Sequence, residues 1–240
     1  MSHYIDLNSD LGESFGNYTL GMDSEVLNHV TSANVACKEK GVAVGAHPGY
    51  PDLMGFGRRA MAVNPGEAKA YMIYQLGALQ AFCDSYGVTL QHMKLHGAFY
   101  NTACVTPALA DAVLDGLQAV NPNIAAMVLS GSYIAKEAER RGIPVIQEVF
   151  ADRGYTDEGT LVPRTEPGAF IKDPQEALER VLMMVKEGKV VTNTGNTIDI
   201  VADSICVHGD NPEAIAFTKY IREGLAKAGV TVANFQVRKK

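Results

Sequence analysis

Leu90-Gln91-His92-Met93-Lys94-Leu95-His96-Gly97 is a short apolar run that delivers a lysine and a histidine before a glycine. Two other runs end in the same manner, Val42-Ala43-Val44-Gly45-Ala46-His47-Pro48 and Ser204-Ile205-Cys206-Val207-His208-Gly209-Asp210. A fourth, Tyr4-Ile5-Asp6-Leu7-Asn8, leads into Ser9-Asp10-Leu11-Gly12-Glu13 and places carboxylates at its exit. Apolar runs of this length bounded by turn residues read as buried strands. In parallel α/β folds the carboxyl ends of strands are where sites are built. The pattern points to an enzyme-like pocket.

Further strand patterns fall at Ser32 to Ala36, Ala125 to Leu129 and Ile143 to Val149, which with the four runs makes seven. Helical periodicity separates them. It is clearest from Pro65 to Tyr86, where Ala68, Tyr71, Met72, Gln75, Leu76, Leu79 and Phe82 recur at spacings of three and four. Further helices are expected near Pro107 to Val120, Tyr133 to Arg141, Pro174 to Glu187 and Pro212 to Ala228, each opened by proline or a small polar residue. Seven parallel strands alternating with helices predict a single domain over residues 1–240, a seven-stranded TIM-like (β/α) barrel. A doubly wound open sheet is the other arrangement this alternation allows. Asp152 to Lys172 lacks periodicity and reads as a long functional loop.

Composition excludes several classes. The 240 residues are 47% hydrophobic and 20% charged with net charge -6, which leaves no basic footprint for nucleic acid. No segment approaches the roughly 18 apolar residues of a membrane span. No secretory signal pattern is visible at the N-terminus, so a cytoplasmic protein is expected. Cys37, Cys83, Cys104 and Cys206 show no metal-binding spacing and read as reduced thiols. There is no phosphate-cradling Gly-rich loop before a Lys-Ser/Thr pair, no dinucleotide fingerprint and no Gly-x-Ser-x-Gly elbow.

Lys94 and His96 are two apart, so along an extended chain they share a face, and a lysine facing inward is costly unless it meets a carboxylate or an anionic substrate. Asp6, Asn8 and Asp10 alternate in the same way. Carboxylates and imidazoles at one rim suit either a divalent metal or acid–base work. Arg153 and Arg164 in the long loop suit a carboxylate or phosphate.

The motifs Asp6-Leu7-Asn8-Ser9-Asp10-Leu11-Gly12-Glu13, Ser32-Ala33-Asn34-Val35-Ala36-Cys37, Gly45-Ala46-His47-Pro48, Lys94-Leu95-His96-Gly97, Glu148 to Arg153, Leu161-Val162-Pro163-Arg164 and Val207-His208-Gly209-Asp210 together resemble the LamB/YcsF family. The resemblance implies a barrel of the glycoside hydrolase and polysaccharide deacetylase type. It also implies the role of the 5-oxoprolinase A component in ATP-dependent opening of 5-oxoproline to glutamate, with separate B and C subunits. ATP is then a cofactor bound with those partners, a divalent metal is possible, and a homo-oligomer is possible. On this reading Asp10, His47 and His96 activate water or a metal, and Lys94 meets developing negative charge. Asn8, Glu13, Asn34, Asp152, Arg153, Arg164, His208 and Asp210 are the substrate-binding candidates, with Arg153 or Arg164 on the carboxylate. The competing readings are a stand-alone metal-dependent carbohydrate hydrolase or deacetylase and a non-catalytic scaffold protein within the complex.

The sequence departs from the family at one place. Family members continue after Ala-Cys with Gly-Phe-His-Ala-Gly-Asp and a helix of about four turns, whereas Cys37 here runs directly into Lys38-Glu39-Lys40-Gly41. Such a connection is too short for a parallel crossover.

Overall fold

A computed structural model describes residues 3–11, 22–34, 42–207 and 212–235. Ten strands and seven helices are placed among them. Strand β1 is His3–Asp10, followed by the short helix α1 (Asp23–Val26), β2 (Ser32–Asn34) and β3 (Ala43–Ala46). Next come α2 (Pro65–Tyr86), β4 (Leu90–Met93), α3 (Gly97–Val105), α4 (Pro107–Val120), β5 (Ala125–Leu129), α5 (Tyr133–Arg140) and β6 (Val145–Phe150). The chain then runs through α6 (Pro174–Glu187), β7 (Lys189–Val191), β8 (Thr197–Asp199), β9 (Ser204–Cys206), α7 (Pro212–Lys227) and β10 (Val230–Val232).

The strand order is β10-β1-β2-β3-β4-β5-β6-β9, and β9 also pairs with β1. Seven strands therefore form a closed cycle, the seven-stranded (β/α) barrel class expected from the sequence. Besides β2, β1 serves two partners along its length: His3 to Ile5 pair with β10, and Asp6 to Asn8 pair with β9. The short β10 and the antiparallel β7–β8 hairpin carry too few residues to announce themselves by periodicity, and neither was expected.

The residues fall into two compact units. In the unit containing Ala43–Ile146, β3, β4 and β5 pair in parallel and α2 packs along α4. Asn64 and Glu67 form a reciprocal capping box at the start of α2, Pro65 occupies its first turn, and Gly87 ends it at φ 61°. The α2–α4 contact depends on a glycine. A Cβ at Gly116 would lie 2.6 Å from Met72 Cβ and 3.2 Å from the Lys69 carbonyl oxygen, so the helices approach closely only where that atom is missing.

In the other unit, β6 and β1 flank β9 in parallel register, with α6 packed against α7. Asp173 caps α6 by accepting from the Glu176 amide, ahead of Pro174. The long stretch expected between Asp152 and Lys172 is irregular backbone held by isolated bridges, Arg153 to Phe170 and Tyr155 to Leu161.

Gly116→Ala gains helix propensity of up to about 1 kcal/mol but overpacks the contact by about 1–3 kcal/mol. We expect a net loss of about 1–2 kcal/mol, read as a lower urea midpoint at unchanged slope. An unchanged or higher midpoint would refute the close-approach argument.

Candidate active site

β3 ends at Ala46, which places His47 at its exit. β4 ends at Met93, and the extended chain continues alongside β3: the Lys94 amide donates to the Ala46 carbonyl at 2.9 Å and the His96 amide to the Pro48 carbonyl at 2.8 Å. The alternation read from the sequence therefore persists past the strand.

His47 Nδ1 lies 2.9 Å from the Lys94 carbonyl oxygen. His47 Nε2 lies 3.0 Å from His96 Nδ1, and His96 Nε2 lies 2.7 Å from the Phe56 carbonyl oxygen. Both ends of this chain are carbonyls, which only accept. Each end requires an N–H, and the N···N contact between the rings requires a third proton. Two neutral imidazoles carry two. The geometry is fully satisfied when the pair holds three protons and one positive charge.

The surroundings fix this arrangement. The rings meet edge to face, with centroids 4.9 Å apart, and Phe56 lies edge-on to His96. Added Cβ atoms would lie 3.2 Å from His96 Cβ at Gly49 and 2.7 Å from His96 Cδ2 at Gly57, so the imidazole sits in a slot made by two glycines. Gln75 of α2 clamps one wall: its Oε1 accepts from the Gly49 amide at 2.9 Å, and its Nε2 donates to the Gly49 carbonyl at 2.8 Å. Asp52 accepts from the Gly55 amide and pairs with Arg59, whose guanidinium holds that carboxyl below its ordinary range. Lys94 is 2% exposed.

Asn34 is drawn to the same unit by a histidine that sequence reasoning passed over. Its Oδ1 lies 2.7 Å from His92 Nε2. The His92 ring fits because Gly45 has no side chain, since a Cβ there would fall 2.1 Å from Nε2. Glycine opposite histidine on neighbouring strands was the available signal.

In the other unit, Asp6 is buried on β1. It accepts hydrogen bonds from Thr31 and Ser32 hydroxyls, each at 2.7 Å, and from Ser204. Asn8 donates to the same Ser204 oxygen at 2.8 Å, so its amide belongs to this buried framework. Burial pushes the Asp6 carboxyl upward, while the three hydroxyls draw it back. Arg153 is buried and donates from Nε to the Ala169 carbonyl at 3.0 Å and from Nη2 to the Val162 carbonyl at 2.6 Å. It therefore pins the long loop from within. Arg164 is exposed, and the guanidinium carbons of Arg153 and Arg164 lie 5.1 and 5.3 Å from the centre of the Phe170 ring. Burial, then the neighbouring Arg164, lowers the Arg153 pKa. Of the two arginines, Arg164 is the exposed one. Asp10 and Asp152 are described in this unit, whereas Glu13, Cys37, His208 and Asp210 lie outside the described residues.

The expected metal candidates fit an ion poorly. The ring nitrogens of His47 and His96 are directed at each other and at carbonyls. Among the described residues no group of three or more His, Cys, Asp or Glu is arranged to hold a metal. Nor is any single described helix long and apolar enough to cross a membrane.

The LamB/YcsF family model matches residues 5–38 and 37–240, nearly the whole chain in two pieces. The chain belongs to the LamB/YcsF family. It is 57% identical to the A component of 5-oxoprolinase from Fusobacterium nucleatum, covering 97% of each chain. It is 51% identical to the corresponding 5-oxoprolinase component of Pyrococcus abyssi, covering 95% of this chain and 96% of the relative. A crystal structure of a lactam utilization protein from Thermus thermophilus superposes with TM-score 0.90 at 42% identity, over 97% of this chain and all of that one. A family member of this similarity shares the barrel class.

Ser204→Ala removes one hydroxyl from Asp6 and the partner of Asn8. A carboxyl raised in the folded state contributes stability that is complete below its unfolded value near 3.8 and is lost as pH rises through its folded value. Losing Ser204 raises Asp6 further. The variant is therefore expected to lose about 1.5–3 kcal/mol at pH 7 and less at pH 4. Urea unfolding at both pH values checks this, and an equal loss at both would contradict it.

Proposed function

We propose that this chain is the A component of an ATP-dependent 5-oxoprolinase that opens the lactam of 5-oxoproline to glutamate, with the B and C subunits as its partners. The observation that carries the reading is near-full-length identity, at 57% and 51%, to proteins named as that component of 5-oxoprolinase. The structural likeness to a lactam utilization protein supports it. The stand-alone carbohydrate hydrolase has no comparable support.

Opening a lactam adds water across the C–N bond. Oxygen attacks the ring carbonyl, negative charge develops on the carbonyl oxygen, and the nitrogen must receive a proton to leave as an amine. Lys94 supplies a buried positive charge for the developing oxyanion. The His47–His96 pair supplies the proton: when it gives up its third proton it returns to two neutral imidazoles, and it can then accept one from the attacking water. In the other unit, Arg164 is exposed and suits a carboxylate, and Arg153 holds its loop from within.

ATP supplies the driving force for opening a stable amide. The chain carries no phosphate-cradling Gly-rich loop, so the nucleotide is assigned to the assembled complex.

The test is glutamate release from 5-oxoproline by this chain with its B and C subunits. Release should require ATP and all three chains. Lys94→Ala and His96→Ala should each lower kcat by about 10²–10³-fold. Unchanged release in both variants would refute these roles, and release by this chain alone without ATP would refute the complex.

A further inference from the structure

Among the described helices, α4 alone lines a flank of α2. On that side Lys69 pairs with Asp115 of α4 at 3.7 Å, Met72 meets Gly116, and Gln80 accepts from Asn121 at 3.1 Å. Among the described helices and strands, only α4, β3 and β4 make more than incidental contact with this helix, and the Gly49 turn meets it at Gln75. The other flank carries Tyr71, Gln75, Ala78, Phe82 and Tyr86, at spacings of four, three, four and four. It has no charge along its length. Phe82 is 64% exposed and Tyr86 66%, while Tyr74, on the outermost face, is 78% exposed. Helices of a (β/α) barrel normally stand between two neighbours in the outer ring.

The neighbour on this side would follow β2. Only eight residues separate Asn34 from Ala43, whereas a parallel crossover takes a dozen or more and is usually helical. Similarity to relatives locates the same deficit independently. The family match breaks into two pieces at residues 37–38. The alignment with the Fusobacterium relative spans 249 positions but uses 97% of this 240-residue chain, so about 16 positions of the relative face no residue here. Sixteen residues make about 24 Å of helix, against about 33 Å for the 22 residues of α2.

We infer that the flank of α2 opposite α4 is a helix-docking groove, for which the connection between Asn34 and Ala43 is too short to supply a full crossover helix, and that it accepts an amphipathic helix of about four turns. The occupant presents an apolar stripe to Ala78 and Phe82, with the small Ala78 side chain allowing close approach. This inference is independent of the proposed catalytic activity.

The test uses a synthetic peptide of the segment that the Fusobacterium relative carries opposite the Cys37–Lys38 junction. Titrated into this chain, it should bind saturably and raise Tm by roughly 5–10 °C at a hundredfold excess over Kd. Phe82→Asp should weaken that binding at least tenfold while shifting the Tm of the peptide-free chain by less than about 2 °C. In a chain with the segment inserted at the junction, the same substitution should lower Tm by about 5 °C or more, a non-additivity that an exposed residue without a partner cannot show. If the inserted chain does not fold, the peptide titration decides. Absence of saturable binding, or binding indifferent to Phe82→Asp, overturns the inference. So does self-association of the chain through Phe82 that the peptide fails to displace, which would give the face to a second copy.

Discussion

The contact between His47 and His96 is the constraint on which the candidate site depends. It joins the exit of β3 to the exit of β4 and reaches the turn at Phe56, so three segments that no single element could hold are fixed by two rings and two carbonyls. The demand on the backbone follows directly. Gly57 must lack a side chain for the His96 ring to fit, Gly49 packs closely against the same residue, and Gln75 of α2 ties the Gly49 peptide to the scaffold. A site supported in this way is held by packing and main-chain hydrogen bonds rather than by loop conformation, which is the condition for preorganised chemistry.

Asp6 and Arg153 show the same economy. Asp6 is surrounded by hydroxyl donors, and Arg153 is satisfied by carbonyls of the loop it secures. Each of these buried groups finds local partners, as burial requires. The result separates two kinds of arginine in one loop: Arg153 maintains the loop, and Arg164 remains exposed for recognition. The exposed apolar flank of α2 carries Phe82 and Tyr86 open to solvent, and it is there that the helix-docking groove is inferred.

Much of this was legible in the residues. The bounds of α2, α4 and α6 follow from Pro65, Pro107 and Pro174 at their first turns, with Gly87 and Gly188 ending two of them. The strand-exit positions of His47 and His96 followed from apolar runs ending at turn residues. α3 was missed because its nine residues follow directly on the His96 turn, beginning at Gly97. β10 and the β7–β8 hairpin are three-residue strands, too short for a periodic signal. His92 was passed over because its role depends on the space left by Gly45 on the neighbouring strand, a relation visible only in register. Likewise the division of labour between Arg153 and Arg164 depends on burial, which two arginines in an aperiodic loop do not reveal.

Nitrogen-15 NMR of the histidine side chains in the native protein at neutral pH tests the central claim most directly. The expected result is that His47 carries a proton on Nδ1, His96 carries one on Nε2, and a third is shared between His47 Nε2 and His96 Nδ1. Two neutral rings, with either carbonyl-facing nitrogen unprotonated, would contradict it.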